Sequence, residues 1–456
     1  MDAERGWFDG TVEPSPEPVP DLESAPTEFT PAVGTVLDDE SADVTEEDAG
    51  EADEAGTAEP DEPPPRRRPP ALLITGRALL ALVSAATLVA MALLWARVDQ
   101  IQSSVNTTDA LAEAQKQPDA PPPDDGANDI LIVGSDTRTD LQGNPLPARI
   151  VKQELRTDPT DGTLNTDTLI LLRLSRNGGR SVAVSIPRDT SVPAPNLGKD
   201  QKVNGVFGIT KEKALEQMRR EGVKDRAKQE RDSDSAGRAA LIQSVQLLTG
   251  VRIDHYTEIT LYGFYLLTKA IDGVDVCLNH ATSDPDSGAN FRKGPQTVRG
   301  ADAVSFVRQR KNLPRGDLDR IVRQQTFLAS AMNKVLSGGT LTDTGKLNAL
   351  ADAVSKSVVM DPGLQFLDLV NQAQALANGQ VGFVTIPVTG VGARNDRGQS
   401  IITVDIPAVK AYIAALMSGT PPPAAPPPPE APGLRGKPLL NLSGLRAAAY
   451  AVPCID

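Results

Sequence analysis

The residues best equipped for chemistry lie in the stretch NTDTLILLRLSRNGGRSVAVSIPRDT, Asn165 to Thr190. Asn177-Gly178 has the backbone freedom that a two-residue turn demands, and apolar, β-branched runs flank it, so the spacing predicts a hairpin. Pairing about that turn sets Asp167 opposite Arg188, with Asp189 alongside. A turn at Gly178-Gly179 would slip this register, and a plain cross-strand ion pair accounts for the Asp–Arg couple as readily as a site does. A second carboxylate, Asp136, stands in GSDTR (134–138) directly after the expected strand Ile130 to Val133, at the strand end where ligands of α/β sheets collect. Two carboxylates brought close repel unless a cation lies between them. Hard oxygen ligands in a chain with two histidines point to magnesium, or manganese in its place.

Residues 302–325, DAVSFVRQRKNLPRGDLDRIVRQQ, read as two helices broken at Pro314 and Gly316. On the second helix Asp317, Arg320 and Gln324 share one face, and Leu318, Ile321, Val322 and Ala329 form the opposing apolar stripe. Solvated charge is the ordinary explanation of such a face. Here, however, Arg308, Arg310, Arg320 and Arg323 gather in one helix–turn–helix, while one arginine and two aspartates sit at the sheet edge. That combination suits a pyrophosphate held together with its metal. No Walker, G-x-G-x-x-G, G-x-S-x-G or Ser-x-x-Lys pattern is present, which excludes P-loop nucleotide binding and the common serine acyl-transfer sites.

The elements that must position these residues are strands and helices in alternation. Strands are expected at Ile130–Gly134, Thr168–Leu174, Ser181–Ile186, His255–Thr260, Val274–Leu278 and Gly382–Pro387; helices at Ala236–Thr249, Leu318–Val335 and near Ala408–Met417. The pattern predicts an α/β/α sandwich with a central mixed sheet, and the all-apolar run Leu169 to Leu172 belongs in the middle of that sheet.

Composition sets the surroundings. Of 456 residues 39% are hydrophobic, 4% aromatic and 38 are proline, so part of the chain is too poor in apolar side chains to fold. Residues 1–65 hold 21 acidic residues against Arg5 alone, a net −20, and residues 1–70 are expected to be a disordered acidic tail in the cytoplasm. Arg66 to Arg68 and Arg77 precede the uncharged run Ala78 to Ala96; its 19 residues make a helix of about 28 Å, close to the ~30 Å of a bilayer core. A transmembrane helix is therefore expected over 76–97, anchoring the chain in the cell membrane by a single pass. The arginines before it keep the N-terminus inside and send the remainder outside. Residues 98–127 read as an extracellular stalk, 128–418 as the α/β domain, and 419–456 as a Pro-rich linker with a short C-terminal tail. Residues 97–456 carry only +2, so the bulk charge points to no nucleic acid partner. Cys277, Cys454, His255 and His280 lack the paired spacing of a zinc site; outside the cell the two cysteines either bridge or stay as buried thiols.

Taken together, NDILIVGSDTR (128–138), NTDTLILLRL, SVAVSIPRDT, KVNGVFG (202–208), IDHYTEI (253–259), IDGVDVCLN (271–279) and FVRQRKNLPRGDLDRIVRQQ resemble the LytR-CpsA-Psr family of cell-wall proteins, in its actinobacterial branch. The resemblance implies a membrane-anchored phosphotransferase that moves a glycopolymer from a polyprenyl-pyrophosphate carrier onto peptidoglycan. It implies Asp136 and Asp167 as magnesium ligands, and Arg188, Arg308, Arg310, Arg320, Arg323 and Gln324 as the pyrophosphate-binding set. Arg188 would act at the reacting phosphate, with Asp189 or Asp317 as the base. Two departures stand out: Asn165 occupies a position where many members carry arginine, and no C-terminal LytR domain is recognisable after Thr420. A lipid substrate calls for an apolar groove, and the helices Ala239–Leu248 and Tyr262–Ile271 are candidates to wall it. Two other readings compete: a hydrolase of lipid pyrophosphates, and a non-catalytic regulator of wall assembly.

Overall fold

The structure, a computed structural model, describes residues 80–89, 91, 105–123, 126–141, 143–158, 164–176, 181–337, 343–364, 381–418 and 452–456. The acidic tail, the Asn177-Gly178 turn and half of the expected membrane span lie outside these residues. Residues 80–89 are helical, with Leu80, Leu82 and Leu88 exposed. Among the described residues no helix is long and apolar enough to cross a membrane.

A seven-stranded mixed sheet organises the fold. Its strands are β1 (Asn106–Thr107), β2 (Ala127–Ser135), β3 (Thr166–Ser175), β4 (Ser181–Ser185), β5 (His255–Thr260), β8 (Val358–Met360) and β9 (Val381–Thr385), in the spatial order β1-β8-β5-β2-β3-β4-β9. Three further strands, β6 (Val274–Leu278), β7 (Gly294–Val298) and β10 (Cys454–Ile455), form a separate small sheet with β6 in the middle. Val274–Leu278 is thus a strand, as its residues suggest, but it lies outside the central sheet. The helices are α1 (Ala110–Gln115), α2 (Val203–Arg220), α3 (Arg226–Thr249), α4 (Leu261–Ala270), α5 (Ala301–Arg308), α6 (Asp317–Ser337), α7 (Thr344–Ser357) and α8 (Ile406–Ser418).

Strand alternation sends side chains to both faces of the central sheet, and both faces are covered. On one, Leu131, Val133, Leu169, Leu171 and Val184 pack against Phe207 of α2, Leu241 and Leu248 of α3 and Ile413 of α8. On the other, Ile130, Ile170, Leu172 and Ala183 meet Leu328 and Met332 of α6. Leu131, Leu171, Leu241 and Leu248 are wholly buried, and each such side chain contributes about 1.5–3 kcal/mol through removal from water. β3 lies between β2 and β4, so the apolar run Leu169 to Leu172 does occupy the sheet interior.

Two boundaries differ from the expectation. The segment read as a stalk already belongs to the fold: β1 pairs in parallel with β8, and Ala110 and Ala114 of α1 are fully buried. Alanines one turn apart give this short helix a thin apolar edge that its polar neighbours mask. The C-terminus also returns. Cys454 is disulfide-bonded to Cys277, and Ile455 is buried beside β6.

Candidate active site

Asp167 owes its position to a break in register. β2 and β3 pair Gly134 with Thr168 and then Ser135 with Thr166, leaving Asp167 as the extra residue of a bulge. Such a bulge bends the strand and re-aims the unpaired residue. Gly134 makes the close approach possible, because a Cβ there would lie 3.0 Å from Thr168 Cβ. Just beyond, the Asp136 amide donates to the Asn165 carbonyl at 2.9 Å, so the two aspartates hang from adjacent strand ends. Asp136 is ion-paired with Arg138 at 3.3 Å, a neighbour that sequence reasoning quoted within GSDTR without assigning it a role.

The β3–β4 ladder pairs Ile170 with Ser185 and Leu172 with Ala183, the register centred on Asn177-Gly178. Continued two residues past Ser185, this register brings Arg188 to Asp167, with Nη1 2.9 Å from Oδ2. The Nε of Arg188 lies 3.4 Å from Asp317 Oδ1 and 3.8 Å from Asp189 Oδ2. Arg320, one turn into α6, donates from Nη2 to the Asp167 carbonyl at 3.1 Å and lies 3.2 Å from Asp317 Oδ1. Lys202, which sequence reasoning passed over, sits 2.5 Å from Asp189 Oδ1.

The charges are tightly coupled. Burial by itself would raise the Asp167 carboxyl, but the nearby Arg188 and Arg320, the Arg188 hydrogen bond and the more distant Arg308 outweigh it and hold the group below the ordinary value of 3.8. Burial works against the Arg188 charge as well, yet Asp167, Asp317 and Asp189 more than offset it and raise its affinity for the proton. For Arg320 the balance tips the other way: burial, with repulsion from Arg188, lowers it despite Asp317 and Asp167. A cation held under such stress is better satisfied by a further anion.

That anion has a place to sit. A cavity of about 330 Å³ opens at the cluster, lined at one end by Ser135, Asp136, Asp167, Arg308, Arg320 and Gln324. Its remaining wall is apolar, built from Ile132 and Ile170 on the sheet, Leu261, Phe264 and Leu267 on α4, Leu328, Ala331 and Val335 on α6, and Leu350 on α7. On α6 the lining residues 320, 324, 328, 331 and 335 share one face, which changes from charged to apolar along the helix. One helix face thus lines the cavity with a guanidinium at one end and hydrocarbon along the rest.

The structure therefore brings Asp136, Asp167, Arg308, Arg320 and Gln324 onto one cavity, with Arg188, Asp189 and Asp317 linked to it through Asp167 and Arg320. Two expected phosphate ligands are elsewhere. Arg323 is buried over the Phe306 ring, donating to Gln309 Oε1 at 2.7 Å and to the Asp456 carbonyl at 2.8 Å. Its position on α6, one residue from Gln324, turns it toward the small sheet, and burial lowers its pKa to about 10. Arg310 is exposed and off the cavity, because α5 ends at Arg308 and the backbone turns, with the Arg310 amide donating to Asp284. Of the two helices expected to wall a groove, the one near Tyr262–Ile271 does so. Ala239–Leu248 instead packs into the core under the opposite face of the sheet. The α6 and α7 walls went unforeseen, although the spacing of Leu328, Ala331 and Val335 carried the signal.

Among the described residues no cluster of three His, Cys, Asp or Glu could by itself hold a metal. The donor set nonetheless fits magnesium, which commonly takes one or two carboxylates and completes its shell with phosphate oxygens and water. Asp167 Oδ1 is buried and accepts no hydrogen bond among the described residues, as a ligating oxygen kept in reserve would be.

A mixed α/β sheet covered on both faces, with a cavity at its strand ends that is charged at one end and apolar along the rest, defines the class. The LytR_cpsA_psr family pattern matches residues 94–417, and the chain belongs to that family. It is 47% identical over 298 residues to the cell wall biosynthesis protein LcpA of Corynebacterium glutamicum, covering 65% of this chain and 57% of that one. To the polyisoprenyl-teichoic acid–peptidoglycan teichoic acid transferase TagU of Oceanobacillus iheyensis it is 34% identical over 242 residues, 52% of this chain and 66% of the other. The chain thus spans less than two thirds of the length of either relative. Among solved structures, a LytR-Csp2A-Psr enzyme from Actinomyces oris aligns with a TM-score of 0.44 at 15% identity, over 65% of this chain and 93% of that one.

Proposed function

We propose that this chain is a membrane-anchored phosphotransferase that ligates a glycopolymer from a polyprenyl-pyrophosphate carrier onto peptidoglycan during cell-wall assembly. The observation that carries the reading is the Asp167–Arg188–Arg320 cluster at the charged end of an otherwise apolar cavity. A pyrophosphate between a sugar and a long hydrocarbon has that same distribution of charge. The transferase name of the Oceanobacillus relative supports the same reaction class.

In the reaction, the acceptor hydroxyl oxygen attacks the phosphorus attached to the glycopolymer and forms a new P–O bond. The bond from that phosphorus to the bridging oxygen breaks, and polyprenyl monophosphate leaves with the bond's electron pair. Arg320 and Arg188 stabilise the charge that gathers on the departing phosphate, with Arg308 and Gln324 orienting it at the cavity mouth. Asp317, touching both arginines, takes the hydroxyl proton, and Asp189 keeps Arg188 aligned. Asp136 and Asp167 would hold a magnesium ion, or manganese in its place, which supplies further neutralisation of the phosphate oxygens.

The anchor is the uncharged run Ala78 to Ala96, with the N-terminus cytoplasmic and the α/β domain outside the cell membrane. The exposed apolar side chains of helix 80–89 support it. The Cys277–Cys454 disulfide supports an oxidising compartment.

Full-length protein in detergent, given peptidoglycan and a glycan-bearing polyprenyl pyrophosphate, tests the proposal. Peptidoglycan-bound polymer and polyprenyl monophosphate should appear together. Monophosphate release with no bound polymer would identify a hydrolase instead, and the absence of both would contradict an enzymatic role.

A further inference from the structure

Behind the cavity lies a buried ionic network that the proposed chemistry does not use. Glu258, in the middle of β5, is 1% exposed and makes three hydrogen bonds. Its Oε2 accepts from Arg238 Nε of α3 at 2.7 Å and from the Tyr256 hydroxyl at 2.9 Å. Its Oε1 accepts from the Ser135 hydroxyl at 2.8 Å. Burial would drive this carboxyl toward its neutral form, but the Arg238 charge and hydrogen bond, with those of Ser135 and Tyr256, overcome it and keep the group ionised. One turn before Arg238, α3 also carries Asp234, whose Oδ1 lies 2.8 Å from Lys211 Nζ of α2.

A buried ion pair of this kind is poor evidence for stability, since well-packed apolar groups often serve a core as well or better. What singles this one out is where its third arm ends. Ser135 is the last residue of β2 in the sheet, paired with Thr260 on one side and Thr166 on the other, at the step where the register shifts. The residue before it, Gly134, is held small by Thr168. The residue after it is Asp136. The Ser135–Glu258 bond therefore ties down the strand terminus at the point where the chain leaves the sheet to present Asp136 to the cavity.

We infer that Glu258, acting through Ser135, is a positioning residue for the Asp136 carboxylate: the buried Arg238–Glu258–Ser135 relay fixes the strand end from which Asp136 reaches a divalent cation. The inference rests on the reading of Asp136 as a metal ligand. Outer-shell partners of ligating groups typically carry about 10–100-fold in metal affinity.

The test uses full-length protein in detergent with Mn2+ as the probe, its binding followed by water-proton relaxation and its effect on folding by thermal melting. Wild type should bind one Mn2+ that Asp136→Ala removes. Ser135→Ala, which leaves the Glu258–Arg238 pair intact, should weaken binding about 10-fold or more, and Ser135→Thr, which restores the hydroxyl, should recover it. Glu258→Gln should weaken binding similarly, and its combination with Ser135→Ala should cost no more than the larger single effect, because both break one linkage. A lowered melting temperature with unchanged Mn2+ affinity in Ser135→Ala would reduce the relay to a structural role and overturn the inference, even if Glu258→Gln fails to fold. Wild-type protein that binds no Mn2+ would remove the metal-ligand reading of Asp136, and the positioning role with it.

Discussion

Arg320 does two things at once: it holds the bulged backbone of Asp167 in place and offers a desolvated positive charge to the cavity. Arg320→Lys keeps the charge but loses the planar fork that spans Asp167 and Asp317. The expectation is a loss of transfer activity of at least 10-fold for lysine and a greater loss for alanine, with little change in melting temperature for the lysine variant. A steady-state transfer assay beside a melting curve checks both. Asp317 and Asp189 separate by their company, since Asp189 is already paired with Lys202 while Asp317 lies against Arg188 and Arg320. Asp317→Asn should lower kcat by roughly 10²–10⁴, the usual weight of a general base, and Asp189→Asn by less. Acid should act through Asp167. Its folded-state pKa lies below the unfolded value, so its contribution to stability is complete at neutral pH and is lost as pH falls through the lowered value. Acid unfolding of Asp167→Asn should therefore begin from a less stable state and show a shallower loss between the ordinary carboxylate range and lower pH.

At the scale of elements, the site is assembled from one hairpin, one bulge and one helix face. The bulge depends on Gly134, and Gly134→Val should open the β2–β3 ladder beside Asp167, lowering the melting temperature and disabling the site together. On the proposed function, the α6 face sets the length of hydrocarbon the cavity accepts. Ala331→Phe should exclude long polyprenyl pyrophosphates while leaving binding of a short-chain pyrophosphate within a few-fold; competition with donors of graded chain length reads this directly. Much of the arrangement was legible in the sequence because it is local: the turn residues around Asn177-Gly178 imply the pairing that joins Asp167 to Arg188, and that pairing holds in the ladder. The bulge was not legible, since a register shift arises from contacts between Gly134 and Thr168 that are distant along the chain. Arg323 illustrates the same limit. Charge and spacing grouped it with Arg320, yet it stands about 100° around α6 from the cavity-lining Gln324, and its side chain meets Gln309 and Asp456 instead of the cavity.

Over the whole molecule, segments on both sides of the expected α/β domain are drawn into the fold by weak-looking signals. β1 and α1 enter through two alanines and a two-residue strand, and the C-terminus enters through one disulfide and one isoleucine. Composition around them is polar or proline-rich, so the fold limits read from composition fell short at both ends. The Cys277–Cys454 bridge closes a loop with a sequence separation of 177, and replacing both cysteines with serine should cost about 2–5 kcal/mol of unfolding free energy, measurable by denaturant titration. The same substitution releases the Asp456 carbonyl from its bond to the buried Arg323. The proposed order of anchor, domain and cavity would suit a substrate whose hydrocarbon stays in the membrane while its phosphates and glycan lie outside. Equilibrium binding of full-length protein to a polyprenyl pyrophosphate, with and without magnesium, examines that idea at its root. Affinity should depend on the divalent ion, fall sharply in Arg320→Ala and be much weaker for the corresponding monophosphate; equal affinity for mono- and pyrophosphate lipids, unaffected by chelator or by loss of Arg320, would contradict it.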